Sequence, residues 1–372
     1  MSTTWSAPGR VTLIGDHTDY NAGLSLPFGL DRRTSVTVRR ADEPILRVRS
    51  DSPGAGPVSV PARVLELPEP PAVDGWAAYP IGMAWALAQA VPGAIGPFEA
   101  TVTSDVPVGI GVSSSAALEM AVGTALAELF GLDLGPAELA AAGQRAENVA
   151  VGAPTGILDQ TAVMFARRDH GVLIDFADLA RRAVPLGLAA AGLGVLIIDS
   201  GTRHEHGTGG YGQRRAECAE ATSVLGLTSL RELGVDDLDR VRPRLAPNVF
   251  RRVRHVVTEN ARTARVTELL DAGRAAEIGD LLTASHASMR DDFENSVPAI
   301  DAAVAAAVDA GALGARLFGG GFGGACLALV PTDRAEQLAA AITAGVVAGG
   351  HPDPVIRLAA AADGPRREPD PG

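Results

Sequence analysis

The chain contains no lysine; all 32 of its basic residues are arginine. That absence removes whole mechanisms. A Walker P-loop needs its Gly-Lys-Ser/Thr lysine, a protein kinase its strand lysine, and pyridoxal phosphate its Schiff-base lysine. Any phosphate bound here must be held by backbone amides and arginine. Cysteine is nearly as scarce. Cys218 and Cys326 are too few to staple a secreted scaffold of 372 residues, so both are expected as reduced thiols of a cytoplasmic protein. No run of about 18 uncharged apolar residues occurs, which argues against a transmembrane helix. The start, Met1-Ser2-Thr3-Thr4-Trp5, lacks the basic and apolar regions of a secretory signal. Positive charge is also short overall: a net charge of −12 argues against nucleic acid or an anionic membrane as partner.

What is present is a composition 47% hydrophobic, ample for a packed interior, in a chain long enough to divide into two domains. No internal repeat is visible. Alternating apolar positions predict strands at 11–14, 34–40 and 98–104. Helices are predicted over 76–90, 113–130 and 136–149, the last two closed by Gly131 and Gly152. Aliphatic runs at 172–176 and 194–199 read as buried strands. Beyond 199 the pattern turns to helices over 211–225, 249–272, 274–290 and 298–310. Strands at 316–318 and 325–330 and a helix over 333–347 follow. A mixed first half and a helix-richer second half predict an α+β chain with a boundary near 180–195. The proline- and charge-rich tail 364–372 is expected to be disordered.

Residues 9–23 read Gly-Arg-Val-Thr-Leu-Ile-Gly-Asp-His-Thr-Asp-Tyr-Asn-Ala-Gly. Protein interiors do not gather polar groups so densely beside strand aliphatics unless they hold a polar ligand, and a neutral sugar is such a ligand. A second block, 107–117, reads Pro-Val-Gly-Ile-Gly-Val-Ser-Ser-Ser-Ala-Ala between a strand and a helix. Gly109 and Gly111 allow close backbone approach to an anion. Ser113, Ser114 and Ser115 supply N-cap oxygens and amides where the helix dipole favours negative charge. This is an anion cradle without lysine; the plainer reading is a serine-rich N-cap. A third block, 152–160, places Asp159 after a Pro- and Gly-shaped turn, where a lone Asp reads as a helix N-cap. Residues 319–324, Gly-Gly-Gly-Phe-Gly-Gly, satisfy the dinucleotide pattern G-x-G-x-x-G literally. That fingerprint opens a helix of a βαβ unit, however, and this run leads into an apolar strand.

These blocks, in this order from about residue 7 to about 330, resemble the galactokinases of the GHMP kinase superfamily, the bacterial, actinobacterial-like ones most closely. Residues 9–21 are similar to their sugar-binding run Gly-Arg-Val-Asn-Leu-Ile-Gly-Glu-His-Thr-Asp-Tyr-Asn. Residues 107–116 are similar to Pro-x-Gly-x-Gly-Leu-Ser-Ser-Ser-Ala, and 156–160 to Gly-Ile-Met-Asp-Gln. Residues 211–218 match Tyr-x-x-Arg-Arg-x-x-Cys, and 319–324 match the third motif, Gly-x-Gly-Phe-Gly-Gly. The stretch 285–293 is also nearly identical to a galactokinase stretch and reads as a support helix. The resemblance implies a two-domain GHMP kinase fold, with a ribosomal-protein-S5-domain-2-like domain over 1–190 and a second α+β domain over 191–363. ATP and sugar would lie between them. It implies ATP-dependent phosphorylation of the anomeric hydroxyl of α-D-galactose, with Mg²⁺.

By the same resemblance Asp159 is the catalytic carboxylate and Arg10 its partner. Asp16, His17, Asp19, Gly156 and Tyr211 would touch the sugar. Pro107, Gly109, Gly111, Ser113, Ser114, Ser115 and Ala116 would wrap the ATP phosphates, and Trp76 would meet the adenine. Ser115 and Glu147 would hold Mg²⁺. Each has a blander reading: His17 as a core histidine, Tyr211 as a helix-start aromatic, Trp76 as a core tryptophan, Glu147 as a surface acid. The chain also departs from the pattern. Asp16 stands for Glu, Thr12 for Asn, Val112 for Leu, Gly209-Gly210 for Ser-Glu, and Phe318 for Thr. The shorter Asp16 and the changes at 209–210 and 318 predict a looser substrate wall, hence a different or C6-extended sugar as the alternative substrate. A sensor that binds sugar and ATP without transfer would be free to lose Asp159, Arg10 or Ser115, and all are present. The partners expected are a small-molecule sugar and ATP; the oligomeric state is open, a monomer included.

Overall fold

The computed structural model describes residues 2–52, 54–202 and 210–369. The chain opens on a long antiparallel pair, β1 (Ser2–Ile14) and β2 (Leu24–Arg40). Strands β3 (Ile45–Ser50) and β4 (Val58–Pro61) form the next pair. Helix α1 (Ala78–Ala90) leads to β5 (Phe98–Ser104). Helices α2 (Ser114–Phe130), α3 (Pro136–Arg145) and α4 (Leu158–Met164) follow, with a π-helical turn, Ala146–Val151, between the last two. The hairpin β6 (His170–Asp175) and β7 (Ala180–Pro185) precedes β8 (Leu193–Asp199). Then come α5 (Gly210–Leu225), the short α6 (Leu238–Val241), α7 (Pro247–Asp271), α8 (Gly279–Ser288) and α9 (Pro298–Ala310). Strands β9 (Gly314–Leu317) and β10 (Ala325–Pro331), helix α10 (Ala335–Ala348), and strands β11 (Val355–Ala359) and β12 (Arg366–Arg367) complete the chain.

Two sheets result. The larger runs β12-β1-β2-β5-β3-β4, with β6 and β7 continuing from the far end of β2; the smaller runs β11-β8-β10-β9. The chain passes from the first sheet to the second between β7 and β8. Helix α1 is apolar on every face, and a helix of that kind must be covered all round. It packs beside α2 in a core that includes Trp85, Phe98, Leu46 and Met120. A second core cluster draws on both sheets. Val11, Leu13 and Phe28 of the first meet Val195, Ile197, Leu327 and Leu329 of the second, with Val266 and Leu269 of α7. No helix among the described residues is long and apolar enough to cross a membrane. Cys218 and Cys326 are buried free thiols.

The element expectations needed several corrections. β1 begins at residue 2 rather than 11, because β2 and β12 pair along its polar first half. Strands β3, β4, β7 and β11 were not predicted. β7, Ala-Arg-Arg-Ala-Val-Pro, is exposed at all but Val184 and carries no alternation to read. The helix expected over 274–290 is a 3-10 turn, then α8, then a π-helical turn, Met289–Phe293. The tail expected as disordered is ordered over its described part. Arg366 and Arg367 pair with Ser6 and Trp5, and the Glu368 amide donates to the Thr4 carbonyl at 2.9 Å. The Arg33 guanidinium donates to the carbonyls of Asp363 (2.8 Å) and Gly364 (2.7 Å). Composition favoured disorder, but the edge of β1 offers a ladder that pairs it. Residues 370–372 lie outside the described residues.

Candidate active site

The site is assembled around β1. Register with β2 shifts between Pro8 and Arg10, and such a bulge re-aims the side chains beside it. A Cβ on Gly9 would lie 2.8 Å from the Val112 carbonyl oxygen and 3.0 Å from Val106, so glycine there lets the loop 107–113 settle on the strand. The Arg10 amide then donates to that carbonyl at 3.0 Å. From this anchor the Arg10 guanidinium reaches Asp159, with Nε donating to Oδ1 at 2.8 Å and Nη2 lying 2.7 Å from the same oxygen. Its Nη1 donates to the Gly111 carbonyl.

Asp159 lies in the first turn of α4, whose N-cap is Ile157, so it is not the N-cap that a lone Asp suggested. Ser113 corrects a second expectation. It is the N-cap residue of α2 but has φ 54° and makes no side-chain cap; its hydroxyl donates to Asp159 Oδ2 instead. Gly109 and Gly111 take φ of 80° and 86°, left-handed values that favour glycine. Ser114 and Ser115 open α2, Ala116 is fully buried behind them, and Pro107 flanks the loop. One guanidinium and one carboxylate thus tie the serine loop to the start of α4.

Glu147 lies on the π-helical turn, and such turns cluster at functional sites. It is buried, so its surface-acid reading fails. Its Oε2 accepts from Thr155 Oγ1 and Gln160 Nε2, both at 2.8 Å. Burial and then the charge of Asp159 raise its pKa, while the hydroxyls of Thr155 and Ser115 and the Gln160 amide lower it. Ser115 and Glu147 are therefore brought together beside Asp159. A hydroxyl and carboxylates form an oxygen-only set, which suits a hard cation that keeps several waters, as Mg²⁺ does. Among the described residues no cluster of three or more His, Cys, Asp or Glu could hold a metal.

The residues expected to touch the sugar converge from three segments. Asp19 Oδ2 lies where a Cβ on Gly156 would come within 2.1 Å, so those two positions touch only because 156 is glycine. Burial, and secondarily the charge of Asp159, push the Asp19 carboxyl up to about 6. Asp16 is buried; its Oδ2 accepts from Arg316 Nη2 at 2.8 Å and its Oδ1 from the Gly319 amide at 3.1 Å. Burial lifts it to about 6 against the opposing guanidinium. His17 adopts φ 62°, and both ring nitrogens are engaged. The Asn295 Nδ2 donates to Nε2 and Nδ1 meets the Tyr20 hydroxyl, both at 2.9 Å. Burial lowers its pKa to about 3, so the ring is neutral. Tyr211, in the first turn of α5, lies 5.6 Å from the His17 ring and 5.8 Å from Tyr20. A cleft of about 440 Å³ opens beside Asp19 and Gly156, bordered by Gln144, Asn148, Thr155 and Arg215. Trp76 is partly buried against the core of the first sheet.

The looser wall predicted from the departures is not formed at 210 or 318. Phe318 is wholly buried in the core shared by the two sheets, and Thr12 is wholly buried on β1. The shorter Asp16 is drawn onto Arg316. Gly210 admits the Phe322 ring, which a Cβ there would meet at 2.6 Å; Gly209 lies outside the described residues. The glycine run 319–324 joins β9 to β10, as expected for a turn between strands.

Several supporting residues escaped the sequence reading. Arg316, fully buried, also contacts Glu259 at 3.4 Å. Glu259 accepts from the Gly15 amide (3.0 Å) and the Ser285 hydroxyl (2.7 Å). Burial raises its pKa, but Arg262 and Arg316 outweigh that and hold it at about 2. A readable signal existed: an arginine between Ala and Leu in an apolar strand needs a buried anion. Glu119 and Gln160, both fully buried, gave no comparable signal.

Residues 78–167 match the family model for the GHMP kinases N terminal domain, and residues 266–348 that for the GHMP kinases C terminal. Residues 2–40 match the galactokinase galactose-binding signature. A galactokinase of Streptomyces coelicolor is 43% identical over 98% of this chain and 93% of its own length. One from Mycobacterium tuberculosis is 43% identical over 98% of this chain and 99% of its own. The crystal structure of a Lactococcus lactis galactokinase complexed with galactose is 31% identical, covers 98% of this chain and 95% of that one, and superposes with a TM-score of 0.92. A Methanococcus jannaschii mevalonate kinase, 15% identical over 98% and 99% of the two chains with a TM-score of 0.70, shares the fold.

Proposed function

The chain belongs to the galactokinase branch of the GHMP kinase family, and from that premise we propose that it transfers the γ-phosphoryl group of ATP to the anomeric hydroxyl of α-D-galactose. The products are galactose 1-phosphate and ADP. The observation that carries this reading is the Asp159 carboxylate, held by Arg10 on one oxygen and by Ser113 on the other. It lies between a glycine- and serine-rich helix N-terminus and a cluster of sugar-type polar groups.

Phosphoryl transfer needs little covalent help and depends on positioning and electrostatics. Asp159 orients the anomeric hydroxyl and accepts its proton as that oxygen attacks phosphorus. Arg10 pairs with Asp159 and offsets charge on the transferring group. Backbone amides of the loop from Pro107 to Ala116 and the dipole of α2 hold the phosphates, with Gly109, Gly111, Ser113, Ser114 and Ser115 shaping that cradle. Ser115 and Glu147 would hold Mg²⁺, which would neutralise phosphate charge. Asp16, His17, Asp19, Gly156 and Tyr211 bind the sugar, and Trp76 borders the adenine. Residues 1–190 and 191–363 act as the two domains, in keeping with the passage of the chain from one sheet to the other between β7 and β8. The buried thiols suit a cytoplasmic enzyme.

A sugar 1-kinase for a different or C6-extended sugar is the second reading; the shortened Asp16, tied to Arg316, favours it. ADP release with Mg-ATP across galactose, 2-deoxygalactose, glucose, N-acetylgalactosamine, galacturonate and C6-extended analogues separates the two. Galactose turning over best supports the first reading. A C6-extended sugar outrunning galactose supports the second, and no sugar-dependent ADP release at all refutes both.

A further inference from the structure

We propose that Glu119 is a positioning residue of the phosphoryl-transfer site, which acts through Gln160 to fix the carboxylate of Glu147. This inference rests on the assignment of Glu147 as a metal-holding residue. The geometry begins with one side-chain amide. Gln160 Nε2 carries two N–H bonds; one goes to Glu147 Oε2 at 2.8 Å and the other to Glu119 Oε2 at 2.9 Å. All three side chains are 5% exposed or less. Glu119 lies one turn beyond Ser115 on α2, Glu147 on the π-helical turn, and Gln160 on α4 next to Asp159. The amide therefore braces three helices whose first turns or faces carry Ser115, Glu147 and Asp159.

Without Glu119, Gln160 could rotate away from Glu147, because its other amide atom offers no competing restraint. Gln160 Oε1 and Glu119 Oε1 are both buried with no hydrogen-bond partner. A buried acid with an unpaired oxygen destabilises a fold relative to an apolar side chain of similar size. Stability is thus a poor reason for Glu119, and restraint of Gln160 is a direct one. Gly143 on α3 closes the packing: a Cβ there would lie 3.1 Å from Gln160 Cγ and 2.3 Å from Met120. On Glu147 the Thr155 and Gln160 hydrogen bonds both fall on Oε2. Outer-shell partners of this kind change metal affinity by about 10- to 100-fold when removed.

The test titrates Mn²⁺ by electron paramagnetic resonance into the full chain saturated with a non-hydrolysable ATP analogue. Glu119→Met and Gln160→Met should each weaken Mn²⁺ binding about 10-fold. The double variant should bind no more weakly than either single one, since the two residues act in series. Glu119→Gln, which keeps a carbonyl acceptor for Gln160, should bind within about 3-fold of the parent, on the scale of a single retained hydrogen bond. Melting temperature supplies the readout that a structural role would move the other way: Glu119→Met should melt no lower than the parent while losing Mn²⁺ affinity. Parent-like Mn²⁺ affinity in Glu119→Met, or additive losses in the double variant, overturns the proposal. If Glu119→Met does not fold, parent-like affinity in Gln160→Met overturns it equally. Glu147→Gln separates the premises: unchanged Mn²⁺ binding there refutes the metal assignment, whereas lost binding there beside parent-like Glu119→Met refutes only the role of Glu119.

Discussion

Asp159 is held at both oxygens by side chains from distant segments, and that arrangement sets the first expectation at the residue scale. Asp159→Asn keeps the shape but cannot take a proton, and Arg10→Ala removes the paired charge. Each should lower kcat by about 100- to 10,000-fold with the melting temperature little changed, as for loss of a general base or a transition-state charge. Near-normal turnover in either variant would sink the assignment. The carboxyls of Asp16 and Asp19, both raised to about 6, give a second expectation. A raised acid is charged above that pH and protonated below it, so on acidification it loses its charge and one acceptor oxygen becomes a donor. The kcat/KM for sugar should therefore fall as pH drops through about 6; a profile flat to pH 5 counts against their role. That these residues would be gathered was legible because Arg10, Asp16, Asp19, Ser115 and Asp159 stand in dense, ordered motifs. How they are held was not. Asp16 meets Arg316, 300 residues away, and Ser113 gives its hydroxyl to Asp159 rather than to its own helix, pairings that only tertiary contact decides.

Elements show the same division. The helices and central strands were legible from apolar spacing, although β1 and β2 start at residues 2 and 24 rather than at the expected 11 and 34. The irregular pieces were not. The bulge near Arg10 and the π-helical turn carrying Glu147 each add a residue to a regular pattern, and periodicity is blind to one extra residue. Edge strands such as β7 and β11 escaped because much of each faces solvent. Phe318, the residue after β9, is the clearest case of a substitution read at the wrong scale. Judged against a motif it belonged to the substrate wall; in the fold it fills the core between the sheets. Phe318→Thr should therefore cost about 3 kcal/mol of stability through lost burial and a cavity. Thermal melts and the sugar panel check this together: a lower melting temperature with unchanged sugar preference is expected, and a shifted preference at constant stability would contradict it.

Over the whole molecule, one core joins the two sheets, and the last described residues return to the first strand. Deleting residues 364–372 removes the β12 ladder and the Gly364 carbonyl that accepts from Arg33. With each such hydrogen bond worth about 0.5–1.5 kcal/mol, the loss should be a few kcal/mol and a visible fall in melting temperature. An unaltered melt would show that the segment contributes nothing. The long-range closure was not legible, since composition alone marked the tail as unstructured and no local pattern announces a partner more than 350 residues away. Thr4 and Glu368 are bonded neighbours, so the path of the backbone is almost a loop that meets itself. A short covalent splice there would leave every residue of the cleft where it is, and the chain could be opened anew at a solvent-facing turn. Pulled from those two adjoining ends, the molecule would unzip one rung at a time from the rim of the first sheet, rather than shear.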